Sequence, residues 1–364
     1  MISTYDKRIL NFSAGPAVLP EPVIKKLQLD LWNIDNSGIG IMEHSHRGPI
    51  FINILETAKK RVREVGMIPD DFEIVFLQGG ASLQFSMIPM NFISQGSKAE
   101  YINTGVWTSK AIEAAKFHGN IDIIFNGNNL HFKSIPDKGD FSTNPKNSYL
   151  YYCSNNTIYG TRWHWLPVHE SGVVCDMSSD FFSRRINWDF YDLVFAGAQK
   201  NLGPSGVVLV IIKKQFLKKS NKSLPPMLNY NLHIEKNSCY NTPPTFGIHA
   251  LSEVCNWINH QGGLDSIEAQ NNEKAKVIYD AIDNSNGFFS PYADKKCRSI
   301  MNIVFNTPSD ELDNKFISEA TELGMNGLKG HRNIGGIRAS IYNAFPKYGC
   351  ERLADFMTKF KNKY

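Results

Sequence analysis

The stretch DLVFAGAQKNLGPSGVVLVII (192–212) sets a single lysine, Lys200, between two apolar runs, with small residues on both sides of it. Runs of this kind are typical of buried strands in a parallel sheet. A lysine at the end of such a run loses hydration around its ammonium group. The chain tolerates that loss only where the amine reaches solvent, is paired with an acid, or is used chemically. The rest of the sequence has to decide among these three explanations.

Seven short runs between residues 72 and 212 have the β-branched and aromatic bias of strands. The runs are FEIVFL (72–77), AEYINT (99–104), IDIIF (121–125), SYLYYC (148–153), GVVCDM (172–177), YDLVFA (191–196) and GVVLVII (206–212). Helical patterns such as TSKAIEAAKF (108–117) separate several of them. We therefore predict an α/β fold with a mostly parallel, seven-stranded sheet and with ligands at the carboxyl ends of its strands.

The pattern changes after the helical stretch GIHALSEVCNWINHQGG (247–263). The remaining elements are helices near 264–285, at 310–323 and at 347–362, and strands at 299–305 and 335–342. We predict a large domain over 16–258 and a smaller C-terminal α+β domain over 259–364, joined by an N-terminal arm over 1–15.

Charge and cysteine usage exclude several classes of protein. The formal net charge is only +4, with 39 basic and 35 acidic side chains spread along the chain, so no nucleic-acid partner is predicted. The six cysteines form no C-x-x-C pair and no grouping with histidine, which indicates free thiols and no metal site. No apolar run approaches membrane-spanning length, and the N-terminus lacks a signal-like apolar region. We expect a cytoplasmic protein without a membrane partner.

The stretch LQGGAS (77–82) follows one predicted strand and opens a helix. Its glycines permit a tight turn, and the unpaired N–H groups of the new helix could bind an anion. By itself the stretch is better explained as a plain turn, and the spacing of a Walker loop is absent.

Two ionisable side chains follow neighbouring strands. Asp176 ends GVVCD, where it could line the edge of the sheet or cap the segment that follows, and Lys200 lies beyond the next strand. Because consecutive strands of a doubly wound sheet end at one edge, both could face one cavity. Trp107, after another strand, could stack on a ligand ring or belong to the core.

This combination fits pyridoxal 5′-phosphate. The cofactor requires an amine for its Schiff base, a carboxylate to keep its ring nitrogen protonated, and an anion site for its phosphate. A desolvated lysine also loses its proton more easily, as a nucleophilic amine must.

The sequence resembles the phosphoserine aminotransferase family of the class-V, pyridoxal-phosphate-dependent aminotransferases. The resemblance runs in order from about residue 11 to the C-terminus, and the motifs that carry it are NFSAGPAVLP (11–20), HSHRG (44–48), GGASLQFSMIPMN (79–91), NTGVW (103–107), FAGAQKNLGPSG (195–206), NTPPTF (241–246) and KGHRNIGGIRASIYNA (329–344). It implies a fold-type I homodimer with shared active sites and with Lys200 as the Schiff-base lysine.

The resemblance also implies the residues that bind the cofactor. Asp176 would contact the pyridinium nitrogen, Trp107 would stack on the ring, and Thr157 would bind the 3′-oxygen. The phosphate would be held by Ala81, Ser82 and Gln199 and, from the partner subunit, by Asn241 and Thr242.

The substrate requires two positively charged binding sites, one for a carboxylate and one for a phosphate. Arginine suits both because its planar guanidinium group can form hydrogen bonds with two oxygens at once. The resemblance implies Arg338 for the α-carboxylate, and it implies a phosphate cluster made of His46, Arg47, His331 and Arg332, part of it contributed across the dimer. Some family members carry an arginine at the position of Ser82. Serine supplies no charge there, so the phosphate depends more on the cluster.

The implied reaction is reversible transamination between L-glutamate and 3-phosphohydroxypyruvate, giving O-phospho-L-serine and 2-oxoglutarate in serine biosynthesis. A second substrate pair, of the 4-phosphohydroxythreonine type used in pyridoxine biosynthesis, remains open. The alternatives are a cysteine desulfurase, an alanine–glyoxylate aminotransferase, and a non-catalytic binding protein with the same fold. A desulfurase needs a mobile nucleophilic cysteine, and only Cys239 lies close in sequence to an expected site element.

Overall fold

A seven-stranded sheet forms the centre of the fold in the computed structural model, which describes residues 8–364. Residues 1–7 of the predicted N-terminal arm lie outside the described residues. The strands are β1 (Leu10–Asn11), β2 (Phe72–Leu77), β3 (Lys98–Asn103), β4 (Asn120–Asn126), β5 (Leu150–Cys153), β6 (Asn155–Asn156), β7 (Thr161–Arg162), β8 (Val173–Asp176), β9 (Leu193–Gly197), β10 (Val208–Lys213), β11 (Ser290–Pro291), β12 (Asn302–Asn306), β13 (Met325–Asn326) and β14 (Ile337–Ser340). The helices are α1 (Glu21–Trp32), α2 (Pro49–Gly66), α3 (Gly80–Phe92), α4 (Val106–Ala115), α5 (Lys214–Leu217), α6 (Tyr230–Glu235), α7 (Thr245–His260), α8 (Gly263–Asp283), α9 (Asp310–Glu322) and α10 (Lys347–Lys363).

The central sheet contains all seven predicted strands, in the order β2-β10-β9-β8-β5-β3-β4. β10 pairs antiparallel with both of its neighbours, β2 and β9, and the other pairs are parallel. The prediction of an α/β fold with a mostly parallel sheet is therefore confirmed. Because only β10 is reversed, the carboxyl ends of the other six strands meet at one edge.

Helices cover both faces of this sheet. Along β9, Val194 and Ala196 point into one apolar cluster and Leu193 and Phe195 into another, which is the two-residue alternation of a strand buried on both faces. The first cluster includes side chains of α2 and α7, and the second includes side chains of α3 and α4. Chain segments between strand and helix are thereby directed to the sheet edge, where ligands bind in folds of this type.

A second, antiparallel sheet has the order β11-β12-β14. Its strands pack with α8, α9 and α10 around a separate apolar cluster, to which Leu10 and Phe12 also belong. β1 pairs in parallel with β13, so the start of the described chain is attached to this sheet-and-helix unit. The helices and strands predicted after residue 263 are present, within a few residues of the predicted bounds.

Within residues 8–364, none of the helices combines the length and the apolar character that crossing a bilayer requires. The same residues contain no group of three or more histidine, cysteine or acidic side chains suited to hold a metal ion.

Candidate active site

A cavity opens at the carboxyl edge of the central sheet. Its lining comes from the segments that follow β2, β3, β5, β8 and β9, and consists of Gly80, Ala81, Ser82, Phe85, Trp107, Cys153, Asn155, Asp176, Ser178, Ser179, Gln199 and Lys200. The prediction that Asp176 and Lys200 face one cavity is confirmed.

Lys200 lies in the connection between β9 and β10, and its side chain is buried, with a relative exposure of 8%. Its Nζ donates a hydrogen bond to Thr157 Oγ1 at 2.7 Å. Burial lowers the pKa of this amine, and the nearby Asp176 carboxylate acts in the opposite direction. The lysine therefore gives up its proton more readily than an exposed lysine, without losing the ability to pair with an acid.

Asp176 is the last residue of β8 and lies opposite Cys153 of β5 in the sheet register. Burial raises the pKa of this carboxyl group, whereas hydrogen bonds from Ser178 and the charge of Lys200 lower it. The backbone N–H of Ser178 donates to Asp176 Oδ1 at 2.9 Å. No helix begins in the turn that follows, so Asp176 is not a helix cap.

The glycine turn predicted from LQGGAS leads directly from β2 into α3. Gly79 and Gly80 have φ values of 85° and 66°, and a Cβ on Gly79 would come within 2.5 Å of the Leu83 side chain. No side chain caps the start of α3, so the N–H groups of its first turn, which contains Ala81 and Ser82, are free to bind an anion.

Gln199 completes this anion site from the other side. A Cβ built on Gly197 would lie 2.8 Å from Gln199 Oε1 and 3.5 Å from Ala81 Cβ, so the end of β9 and the start of α3 are in close contact. Glycine at 197 leaves room for the Gln199 amide beside the helix N-terminus.

Trp107 lies in the first turn of α4, and its ring centroid is 5.9 Å from Lys200 Nζ. Its indole N–H is buried, and it has no hydrogen-bond partner among residues 8–364. A buried donor without a partner is costly, which suggests that a bound molecule supplies the acceptor.

The donor set of the cavity fits pyridoxal phosphate. It offers an amine, a facing carboxylate, a hydroxyl at Thr157, an aromatic ring with an unpaired N–H, and a helix N-terminus for a phosphate. All of these groups except Thr157 line one cavity, and Thr157 contacts Lys200 beside it, as the chemistry of that cofactor requires.

Arg338 lies on β14, close enough for its charge to lower the pKa of Lys200 further. Burial lowers the pKa of Arg338 itself. Its Nε is buried without a hydrogen-bond partner, and its guanidinium forms no ion pair with any of the described residues. A half-buried arginine without an acid is a ready receptor for a carboxylate.

His331 and Arg332 lie in the loop between β13 and β14, where they line a second cavity beside α9. Burial and the charges of Arg338, Arg332 and Lys110 lower the pKa of His331. These residues therefore form one positively charged group next to the carboxylate receptor.

Eight of the fourteen predicted site residues do not line the Lys200 cavity of this chain, namely His46, Arg47, Thr157, Asn241, Thr242, His331, Arg332 and Arg338. His46 is half-buried and Arg47 is exposed, on the loop before α2. Asn241 Nδ2 donates to Gln78 Oε1 at 3.1 Å, and Gln78 Nε2 donates to the carbonyl oxygen of Thr242 at 3.1 Å. Asn241 and Thr242 therefore contact the residue that precedes the glycine turn.

Sequence reasoning missed several residues of the cavity, namely Phe85, Cys153, Asn155, Ser178 and Ser179. All but Phe85 follow β5 or β8 by at most three residues or end the strand, so the rule that strand ends line the site could have found them. Cys239 lies close in sequence to an expected site element, but it is Cys153 that lines the cavity, and Cys239 does not. Burial raises the pKa of the Cys153 thiol well above its usual range, so this thiol is a poor nucleophile at neutral pH.

Comparison with known proteins agrees with the site. Residues 9–353 match the family profile "Aminotransferase class-V". A phosphoserine aminotransferase of Shouchella clausii is 49% identical over 354 residues, which cover 97% of each chain. The solved phosphoserine aminotransferase of Bacillus circulans subsp. alkalophilus superposes with a TM-score of 0.96 at 42% identity, covering 98% of this chain and 99% of that one. The PLP-bound phosphoserine aminotransferase of Trichomonas vaginalis superposes with a TM-score of 0.92 at 36% identity, covering 96% of this chain and 100% of that one. The chain therefore belongs to the class-V aminotransferases and, within them, to the phosphoserine aminotransferase family.

Proposed function

We propose that this protein transfers an amino group reversibly between L-glutamate and 3-phosphohydroxypyruvate, giving O-phospho-L-serine and 2-oxoglutarate, with pyridoxal 5′-phosphate as cofactor. The observation that carries the proposal is the buried Lys200 amine, 2.7 Å from Thr157 Oγ1, in a cavity that Asp176 also lines. Membership of the family supports the substrates, and serine biosynthesis is the corresponding role. A substrate pair of the 4-phosphohydroxythreonine type, as used in pyridoxine biosynthesis, is a second candidate because it presents the same two anionic groups.

When bound, pyridoxal phosphate supplies an aldehyde for amines and a ring that withdraws electrons from the substrate's α-carbon. Lys200 is the amine that would hold the cofactor covalently. Its Nζ, when free, would move the proton at the substrate's α-carbon, as general base and then as general acid. The lowered pKa of Lys200 raises the fraction of neutral amine that can accept this proton.

Asp176 holds the proton on the ring nitrogen by its negative charge. The Ser178 N–H and the Lys200 ammonium favour the charged carboxylate and so oppose the effect of burial. Trp107 would stack on the ring, and Thr157 would bind the 3′-oxygen with the hydroxyl that accepts the hydrogen bond from Lys200.

The phosphate of the cofactor is bound at the start of α3. Ala81 and Ser82 contribute from the first helical turn, where N–H groups lack intrahelical partners, and Gln199 contributes its amide. Asn241 and Thr242 of a second subunit complete this phosphate site.

Arg338 binds the α-carboxylate of either amino acid, with the two parallel hydrogen bonds that a guanidinium can form. His331 and Arg332 take part in binding the substrate phosphate, together with His46 and Arg47. Because Ser82 has no charge, Arg47 and Arg332 supply the electrostatic attraction for the phosphate within this group.

A homodimer with shared sites accounts for the residues that lie away from the cavity. The loop that carries His46 and Arg47 is flanked by exposed apolar side chains, with relative exposures of 40% for Ile39, 68% for Met42 and 46% for Ile52. Apolar exposure of this size beside functional residues supports coverage by a second copy of the chain.

We further propose the division into a large domain over 16–258 and a small domain over 259–364, with the arm over 1–15 attached to the small domain. The separate apolar cluster that contains Leu10, Phe12 and the residues of α8 to α10 supports it. A cytoplasmic location is supported by the six unbridged cysteines, since a reducing compartment keeps thiols free.

Two other functions fit the site less well. A cysteine desulfurase needs a mobile thiol of low pKa, whereas Cys153 is buried at the end of β5 with a raised pKa. A binding protein without activity has no use for a desolvated lysine beside a carboxylate, an arrangement that is typical of catalytic sites.

The deciding experiment is a half-reaction followed by absorbance on the purified protein with pyridoxal phosphate. O-phosphoserine, glutamate, alanine and cysteine are added separately, and we expect the visible band of the bound cofactor to fall only with the first two. A response to alanine or cysteine instead would keep the fold and overturn the substrates. The absence of any visible band would overturn the role of Lys200.

A further inference from the structure

Lys274 of α8 is a buried lysine to which no role has yet been assigned, and its relative exposure is 2%. Its ammonium donates to the backbone carbonyl oxygens of three consecutive residues, Ile341 at 3.2 Å, Tyr342 at 2.7 Å and Asn343 at 3.3 Å. Three N–H donors therefore meet three carbonyl groups. No carboxylate of residues 8–364 forms an ion pair with Lys274.

Burying a cation without an acid stabilises a core poorly. The desolvation free energy of its charge is offset only by hydrogen bonds to neutral groups. An apolar side chain of similar volume would fill the same space on α8 at lower cost. What the ammonium provides in addition is a fixed geometry for the three residues whose carbonyls it binds.

Those three residues follow directly on β14, the strand that carries Arg338. The strand itself is held on one side by β12, and the N–H of Ile341 donates to the Met301 carbonyl at 2.9 Å. The position of Arg338 along the sheet therefore depends on how the chain is anchored where β14 ends.

Asn343 connects the same segment to the Lys200 loop. Its backbone N–H donates to Asn201 Oδ1 at 3.0 Å, and Asn201 is the residue after Lys200. Its side chain accepts a hydrogen bond from Asn271 Nδ2 of α8 at 2.8 Å and donates one to the Phe182 carbonyl at 2.8 Å. These hydrogen bonds connect Asn343 to α8 and to the Lys200 loop at the same time.

Tyr342 provides a second connection. Its hydroxyl donates to the Ala14 carbonyl at 2.7 Å, and the Thr157 hydroxyl is near enough to oppose the burial-driven rise in the pKa of Tyr342. Thr157 in turn accepts the hydrogen bond from Lys200 Nζ. Segment 341–343 therefore contacts the surroundings of Lys200 from two sides, five residues or fewer from Arg338.

We propose that Lys274 is a positioning residue for transamination, which clamps segment 341–343 through three carbonyls so that Arg338 and Lys200 keep the separation that an amino acid substrate requires. The proposal rests on the proposed function of Arg338 and Lys200. Lys274 touches neither substrate nor cofactor, and acts only through the backbone that it holds.

The test is Lys274→Met, which keeps an unbranched side chain, one atom shorter, and removes all three donors. The matched control is Lys276→Met on the same helix, because Lys276 is exposed and pairs only with Asp280. We expect Lys274→Met to bind pyridoxal phosphate with an unchanged visible spectrum but to raise the KM for both glutamate and O-phosphoserine about tenfold, with a smaller change in kcat. Lys276→Met should match the wild type.

A second readout does not depend on turnover. Calorimetric titration of the cofactor-loaded protein with 2-oxoglutarate measures the affinity of the Arg338 site for a carboxylate. Lys274→Met should raise the dissociation constant for 2-oxoglutarate by the same factor as the KM values. Combined with Arg338→Lys, the Lys274→Met change should cost far less than it does alone, because both act on one interaction. If Lys274→Met does not fold, Lys274→Gln, which retains two donors on a shorter side chain, should have an intermediate effect.

A folded Lys274→Met or Lys274→Gln protein with wild-type KM values and wild-type affinity for 2-oxoglutarate would refute the proposal. So would a loss that adds in full to that of Arg338→Lys. Failure of the proposed function would be a different result, because the wild-type protein would then show no response to O-phosphoserine. The titration with 2-oxoglutarate would still compare Lys274→Met with Lys276→Met and so would still test the role of Lys274.

Discussion

Arg338→Lys tests the carboxylate receptor most directly, because it keeps the positive charge and removes the planar fork. Arginine can form two parallel hydrogen bonds with the α-carboxylate, whereas lysine at the same place forms one. The loss of one charge-assisted hydrogen bond corresponds to about 1.5–3 kcal/mol. We therefore expect kcat/KM to fall by about 10- to 150-fold.

The loss should be equal for glutamate and O-phosphoserine, since both present an α-carboxylate. It should leave the melting temperature unchanged, because the buried Nε of Arg338 has no hydrogen-bond partner among residues 8–364 that the substitution could remove. Single-turnover absorbance with each amino acid measures the kinetic effect, and differential scanning calorimetry measures the thermal one. Arg352→Lys, at an exposed position of α10, is the control.

Two results would contradict this reasoning. Unchanged kcat/KM for glutamate would remove Arg338 from the carboxylate site, and a loss confined to O-phosphoserine would move it to the phosphate cluster. A melting temperature that falls by several degrees would mean that the guanidinium has a structural partner after all.

Four further predictions follow from the site. Lys200→Ala should lose the borohydride-reducible visible band, and a mutant protein that retains the band would refute the covalent role of this lysine. Arg332→Ala should lower kcat/KM for O-phosphoserine about tenfold more than for glutamate, by loss of a charge-assisted hydrogen bond, whereas an equal loss would remove it from the phosphate site. Asp176→Asn should slow the half-reaction with glutamate at least about 100-fold, measured by stopped-flow absorbance, because the ring loses the charge that keeps it protonated; an unchanged rate would contradict this. Burial lowers the pKa of Lys274 from 10.5 to about 8, with the nearby Cys350 acting in the opposite direction. Between these pH values the unfolded chain binds more protons than the folded one, so the contribution of Lys274 to the free energy of unfolding rises with pH. Urea unfolding should accordingly show a shallower rise from pH 8 to 10.5 in Lys274→Met than in Lys276→Met, and equal slopes would refute the shift.

The strands of the central sheet could be predicted because each is a short apolar run. A strand that is buried on both faces is recognisable from such a run alone, without an alternation of polar and apolar residues. The order of the strands could not, since the pairing of β2 with β10 joins residues such as Phe76 and Leu209, which no local pattern connects. The reversal of β10 is equally invisible in its sequence, because an apolar run has the same composition in either direction.

The same distinction applies to the site. Lys200 and Asp176 stand out because each is an ionisable residue at the end of an apolar run. Cys153 also ends a strand, so the same rule could have found it, although the register that sets it opposite Asp176 is visible only in the structure. Lys274 was missed for a related reason. In the sequence it is one of two lysines on an amphipathic helix, and the carbonyls that it binds are 67 to 69 residues away.

The parallel pairing of β1 with β13 has a consequence for synthesis of the chain on the ribosome. Leu10 pairs with Met325, so the first described strand has no partner until 315 further residues have been added. At typical rates of translation this takes roughly 15–60 s. The central sheet, whose last strand ends at Lys213, can assemble well before then, while Leu10 and Phe12 still lack the core that will bury them. Among the described elements, β1 is therefore synthesised first but is among the last to reach its native position.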